Sequence, residues 1–335
     1  MAETARVTIG VRTYDRPLLL ARAIEDVLAQ TFHDWRMTIF NNGGDRAVVE
    51  SVVARFAERL AGRVTVVHSE TRLKPGAAVN AALPEPLGDF VVVHDDDDTW
   101  HPTFLARAVE HMVDAESDVA GVAVRLNEVE ERLVNGDRIE IESTKAFNPH
   151  LERVNFQSVL ICNPFPPIGF LVRSEAFRAV GGYDEQLSSA VDWMFLLGVL
   201  ERNRVDVIRE ILANYHLRPN AATSYGNIVS DQKTMRSSDA EVIDHYLERA
   251  MRAGEISPAR VALAISQVDR ENHERLNEAL DHLRELRLLA GDIEFRTRQI
   301  HALLASHEET FRRLGKVLSP ITKLARATRR WRGRT

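Results

Sequence analysis

Four consecutive carboxylates, Asp95-Asp96-Asp97-Asp98, follow the apolar run Phe90 to Val93 and precede Thr99-Trp100-His101-Pro102. Carboxylates this close repel one another unless water or a cation screens them, and oxygen-only donors suit Mg2+ or Mn2+. A solvated acidic turn favoured by the dipole of a following helix is the alternative that this stretch leaves open. Two other loops carry polar groups at comparable places, Thr13-Tyr14-Asp15-Arg16 and Asn41-Asn42-Gly43-Gly44-Asp45. A further acid, Asp192, begins a markedly apolar stretch through Leu200.

The elements that must position these residues alternate. Phe90 to Val93 is β-branched and aromatic, too short for a helix, and predicts a buried strand with the acids at its carboxyl end. Pro102 suits the first turn of a helix over Thr103 to Val113. Arg6 to Val11 predicts a first strand and Leu18 to Gln30 a helix. Arg36 to Phe40 is a second strand, Ala47 to Leu60 a helix, Val64 to His68 a third strand, and Pro75 to Ala82 a helix of small residues. This order predicts a mostly parallel sheet covered on both faces. Ligands of such sheets bind beyond the carboxyl ends of the strands, where all three polar loops fall. Farther on, Val119 to Arg125, Asp137 to Glu142, Phe170 to Arg173 and Val205 to Arg209 are predicted strands. Ser174 is expected to cap a helix ending at Val180.

Bulk composition narrows the class. A chain of 335 residues, 44% hydrophobic and 27% charged, can bury a full core. Cys162 is the single cysteine, which excludes an intrachain disulfide and a cysteine-rich zinc site. No apolar signal core opens the sequence and no run approaches the roughly 20 residues of a membrane span, so a cytoplasmic location is expected.

In the order Thr13-Tyr14-Asp15-Arg16-Pro17, Asn41-Asn42-Gly43-Gly44, Gly76 to Asn80, Asp95 to Trp100, Gly181-Gly182-Tyr183-Asp184 and Asp192-Trp193, residues 5 to 218 resemble a family 2 glycosyltransferase of the GT-A fold. The resemblance implies a Rossmann-like nucleotide-diphospho-sugar transferase domain over 1–229. It implies an inverting, metal-dependent enzyme that moves a sugar from a nucleotide-sugar donor to a glycan or lipid-linked acceptor in surface polysaccharide biosynthesis. Asp95 would contact the donor ribose, and Asp97 would hold Mn2+ or Mg2+ on the diphosphate. Thr13, Asp15 and Asn42 would line the nucleotide pocket, with Lys74 in reach of it. Asp192 would be the general base, an ordinary helix N-cap being its other reading. His216 is a further metal candidate, since neutral imidazole binds Mn2+. Asp96 is expected to face solvent, because neighbours on extended backbone point opposite ways, and Asp98 to cap the following helix or steady the metal. The chain departs from the family at Asn41-Asn42, where an acidic pair is common, and at Val191, where the family often has Glu.

Beyond about Ser230 helix formers dominate. A 3,4-spaced apolar seam runs from Leu276 to Ile321, with bends expected at Gly291 and Pro320, and marks 230–310 as a helical heptad region and a candidate for homo-oligomerisation. From Phe311 to Thr335 there are nine basic residues and no acid, leaving a net charge of −15 on the remainder. A basic amphipathic tail over 311–335 predicts peripheral contact with an anionic membrane face. The acidic remainder and the lack of a binding motif argue against nucleic acid. Two rival functions stand: a non-catalytic scaffold of the same fold, suggested by the two departures, and a nucleotidyltransferase, which would need a glycine- and arginine-rich phosphate loop that Arg12 to Pro17 does not supply.

Overall fold

A computed structural model describes residues 5–134, 138–160, 162–219 and 225–226, with residues 296, 298 and 299 besides. The chain divides into two compact units, 1–264 and 265–335, and the account below concerns the first. The heptad seam and the basic tail lie outside the described residues.

The first half alternates as its periodicities dictate. Strand β1 (Val7–Thr13) leads through Pro17, pre-set for the first helical turn, into α1 (Pro17–Leu28), whose Leu20, Ile24 and Val27 face the core. Then come β2 (Trp35–Asn42), α2 (Arg46–Ala54), the single turn α3 (Ala57–Leu60), β3 (Val64–Ser69), α4 (Pro75–Ala82) and β4 (Phe90–Asp95). The helix expected over 47–60 is thus two helices. Asp45 caps α2 by accepting from the backbone N–H groups of Ala47 and Val48. In β4, Phe90 to Val93 are each 3% exposed or less. Burial of such side chains contributes about 1.5–3 kcal/mol apiece, which makes β4 a central strand.

After the acid run come the two-residue strand β5 (Thr99–Trp100), α5 (Phe104–Asp114), β6 (Val119–Val134), β7 (Arg138–Ala146), α6 (Phe156–Val159), a 3-10 turn (Pro167–Gly169), β8 (Phe170–Arg173), α7 (Ser174–Val180), α8 (Val191–Leu200) and β9 (Arg204–Leu217). Helix α8 is apolar on every side and is accordingly buried. Arg173 rather than Ser174 occupies the cap position of α7.

The strands form one sheet in the order β3-β2-β1-β4-β8-β6-β9-β5, with β7 paired to β6. The pairs among β3, β2, β1 and β4 are parallel. Strand β8 runs antiparallel to both β4 and β6, so β6 and the β9 parallel to it regain the first direction. The sheet is mixed, yet six of its nine strands run one way. Strand order reverses between β1 and β4, where a doubly wound sheet opens its ligand crevice. The register sets Arg12 beside Asp95 and Thr13 beside Asn41 at that point.

Candidate active site

Asp95 ends β4 and forms a two-pronged pair with Arg12 across the switch point, with Nε to Oδ1 at 2.8 Å and Nη2 to Oδ2 at 2.7 Å. Asp96 and Asp97 then form a turn, closed by the Asp98 N–H donating to the Asp95 carbonyl. This turn corrects the expectation for Asp96, since alternation holds only on extended backbone. Asp96 is fully buried, with its Oδ1 2.7 Å from Arg16 Nη2. Burial pushes its carboxyl up to about 6, although Arg16 works against the shift.

Asp97 is the centre of a larger network. Its Oδ2 accepts from Arg218 at 2.6 Å and Arg16 at 3.1 Å, and its carbonyl accepts from Arg22 at 2.5 Å. Burial raises it, but Arg16, Arg218 and Arg22 outweigh burial and hold it below the usual carboxylate range. Glu131, buried on β6, accepts from Arg218 at 2.5 Å, Arg22 at 2.7 Å and His216 Nδ1 at 2.7 Å. Against the cost of burial, hydrogen bonds from His216 and Arg22 bring it down to about 2. Asp98 does not cap α5. Its Oδ1 accepts the His216 backbone N–H at 2.9 Å, and burial pushes its carboxyl well up.

His216 lies within β9, which is longer than its sequence suggests. Burial lowers its pKa and favours neutral imidazole. With Nδ1–H donating to Glu131, Nε2 is the acceptor and takes the Thr99 hydroxyl at 2.9 Å, while Thr99 Oγ1 accepts from Asn214 at 3.0 Å. The lone pair with which His216 would bind a metal is therefore engaged by Thr99.

The first two loops are joined to each other. Asp15, at φ 49°, accepts the Asp45 N–H at 2.9 Å. Gly44 permits this approach, since a Cβ there would stand 2.6 Å from Asp15 Oδ1. Asn42 closes on the next loop by accepting the Leu73 N–H at 2.7 Å and donating to the Leu73 carbonyl at 3.2 Å. Asn41 is fully buried and binds Gly44 from both ends of its amide. Lys74 is exposed and donates to the Gln186 carbonyl at 2.7 Å. Helix α4 fastens this side to the Gly181–Asp184 turn: Asn80 accepts from the Tyr183 N–H and donates to its carbonyl, each at 2.9 Å. A Cβ on Gly76 would lie 2.0 Å from the Asp184 carbonyl oxygen, which only glycine avoids.

Asp192 is the second residue of α8, whose N-cap position is Ala190 in the left-handed region at φ 49°. Asp192 Oδ2 accepts from Asn163 Nδ2 at 2.7 Å, and Asn163 Oδ1 is buried without a hydrogen-bond partner. Burial raises the Asp192 pKa, opposed by its own backbone N–H, that of Trp193 and Arg12, and reinforced by Asp95. The Tyr215 phenol is raised by burial and then by Asp98, Asp97, Asp192 and Asp95, so one side chain senses both acidic groups. Tyr183 stacks on Phe195 at 4.5 Å and Trp193 donates to the Val159 carbonyl, and both belong to the core.

The partners of the acids, Arg12, Arg16, Arg22, Glu131 and Arg218, had no individual role in the sequence reading. Arg12 and Arg16 sat inside a recognised loop, whereas nothing local marks Glu131 as buried.

The donor chemistry fits a divalent ion of one kind. Asp95 and Asp97 offer hard oxygens, and Mg2+ is commonly held by one or two carboxylates with substrate phosphate and water completing its shell. Among the described residues no group of three His, Cys, Asp or Glu is placed to hold an ion by itself. The acids thus suit a metal whose coordination substrate oxygens complete.

A family model described as Glycosyl transferase family 2 matches residues 8–180. The chain is 25% identical over 251 residues to an uncharacterized glycosyltransferase of Nostoc sp., covering 72% of this chain and 74% of the relative. It is 28% identical over 112 residues to the putative colanic acid biosynthesis glycosyl transferase WcaA of Escherichia coli, covering 33% and 39%. Among solved structures, S. aureus TarS 1–349 in complex with UDP-GlcNAc superimposes with a TM-score of 0.53 at 17% identity, covering 74% of this chain and 73% of TarS. Mannosyltransferase PcManGT from Pyrobaculum calidifontis, in complex with GDP-Man and Mn2+, does so with a TM-score of 0.50 at 17% identity, covering 80% and 81%. At such identities the likeness is one of fold.

Proposed function

Because this chain belongs to glycosyl transferase family 2 and is thereby a glycosyltransferase, we propose that it moves a sugar, with inversion, from a nucleotide-sugar donor to a glycan or lipid-linked acceptor in surface polysaccharide biosynthesis. The observation that carries this reading is the family match over residues 8–180 together with the acids gathered after β4, Asp95 paired with Arg12 beside Asp97; the influence of Asp95 and Arg12 on Asp192 supports it. A base and a leaving-group site in one pocket are what a single displacement needs.

In this reading Thr13, Asp15, Asn42 and Lys74 line the nucleotide side, Asp95 takes the ribose, and Asp97 anchors Mn2+ or Mg2+. The ion, when bound, supplies positive charge to the departing diphosphate. Asp192 accepts the proton of the acceptor hydroxyl as its oxygen bonds to the anomeric carbon and the bond from that carbon to the diphosphate breaks. Burial raises the proton affinity of Asp192 and so strengthens it as a base, while Asn163 orients the carboxylate. We give His216 a supporting part, holding Glu131 and Thr99 beside the acids. The TarS complex with UDP-GlcNAc and the PcManGT complex with GDP-Man and Mn2+ support the donor and metal classes, and the name of WcaA supports the polysaccharide setting.

The test is Asp192→Asn. The variant should fold, bind donor by calorimetry, and lose about 10²–10⁴-fold in turnover measured as nucleoside diphosphate release. Retained turnover would remove Asp192 from the chemistry.

No described helix is long and apolar enough to cross a membrane. We assign the basic residues 311–335 to contact with anionic headgroups and residues 230–310 to a helical region able to pair with a second copy. Full-length protein should sediment with phosphatidylserine-containing vesicles, and a chain ending at Thr310 should not. Equal sedimentation of the two would refute the membrane assignment.

A further inference from the structure

Three guanidinium groups converge on Asp97, those of Arg16 and Arg218 on its carboxylate and that of Arg22 on its carbonyl. Arg218 is 1% exposed, and its other donors reach Glu131 and the Tyr225 carbonyl. Arg16 and Arg22 each keep a buried Nε–H with no hydrogen-bond partner. Buried cations need compensating anions, and buried donors left unused are costly. The planar fork of arginine matches phosphate oxygens as well as it matches carboxylate. In the free protein Asp97 shares these cations with Asp96, which lies 2.7 Å from Arg16, and with Glu131, which holds Arg22 and Arg218, and the pairing with Arg16 and Arg218 occupies its Oδ2.

We propose that Arg16 and Arg218 are diphosphate ligands that change partners, leaving Asp97 for the diphosphate of the donor, so that Asp97 becomes available to the divalent cation only as the diphosphate arrives. The inference rests on the reading of Asp97 as metal anchor in a nucleotide-sugar transferase. It makes the two ligands strongly cooperative: each arginine suppresses metal binding when alone with Asp97 and supports it when the diphosphate is present. Coupling of this kind is reciprocal, so the same residues set the affinity for diphosphate in the presence of metal.

The experiment is calorimetric titration of full-length protein with Mn2+ alone, and with UDP, GDP, CDP and dTDP with and without Mn2+. Wild-type protein should bind Mn2+ weakly by itself and the preferred diphosphate tightly with Mn2+. Arg16→Gln should bind Mn2+ alone several-fold more tightly, yet bind the diphosphate about tenfold more weakly with or without Mn2+, as expected for loss of one charge-assisted hydrogen bond. Arg218→Lys, which keeps a charge against Glu131 but loses the fork, should shift both constants in the same two directions and serves if the first variant does not fold. Unchanged constants in a folded variant, or Mn2+ binding that weakens along with diphosphate binding, would overturn the exchange while leaving the transferase reading intact. Failure of wild-type protein to bind any of the four diphosphates would overturn both.

Discussion

At the end of β4, five acidic side chains, Asp95 to Asp98 and Glu131, stand among four arginines, whereas at the head of α8 Asp192 stands with one amide, two backbone N–H groups and buried aromatic rings. In the first corner Asp95, Asp97 and Glu131 are met charge with charge, at a cost in desolvation that close pairing offsets, while burial raises Asp96 and Asp98. The second leaves one carboxylate in poor solvent and raises its affinity for a proton. Charge pairing suits a place where anionic phosphate must be received without rearranging the backbone. Desolvation suits a place where a proton must be taken. The two acidic groups thus follow two electrostatic designs, which in the proposed reading suit reception of a diphosphate and removal of a proton.

The contrast is open to attack most strongly at Arg218. Arg218→Ala leaves Glu131 and Asp97 short of a buried partner and should cost about 3–5 kcal/mol in urea unfolding, whereas Asp192→Asn should cost less than about 1 kcal/mol. Similar losses in both would mean that the two corners are built alike. A smaller effect is expected at Asn163. Asn163→Ala removes the side-chain donor that favours ionised Asp192, so the acid limb of the rate profile should move to higher pH and turnover should drop about tenfold. A limb that stays in place would detach Asn163 from the base.

The smallest effects lie in pH-dependent stability, and they have opposite signs. Glu131, held at about 2 against a normal 4.5, contributes stability present above pH 4.5 that is lost as pH falls toward 2. Asp96, raised to about 6 from 3.8, contributes stability that is full below pH 3.8 and lost as pH rises through 6. Glu131→Gln should flatten the first slope and Asp96→Asn the second in thermal melts recorded across pH. Interchanged behaviour would show that pairing and burial have been assigned to the wrong acids.

Much of this was legible from local pattern. Phe90 to Val93 announced a central strand, and the acids, the Asn41-Asn42 loop and the Thr13 loop fall together at the carboxyl ends of parallel strands as their pattern predicts. The departures have local causes too. Asp96 turned inward because Asp96-Asp97 is a turn, to which strand alternation does not apply. The sequence predicts a strand ending at Arg209 because the exposed charges there resemble a strand end, while irregular pairing with β6 carries the strand on to Leu217. The arginine network was beyond local reading. Glu131 and Arg218 lie 87 residues apart in sequence, and neither has a neighbour that predicts burial.

Strand β9 carries one more implication. Asn214, His216 and Arg218 recur at every second position and meet Thr99, Glu131 and Asp97 in turn. Substitutions upstream in that strand alter one contact each, but loss or gain of a single residue just before Asn214 would turn all three to the opposite face of the sheet. The terminal stretch of β9 from Asn214 on should therefore hold its length strictly through evolution, with insertions and deletions confined to the irregular pairing between Arg204 and Ala213, where the register with β6 already shifts.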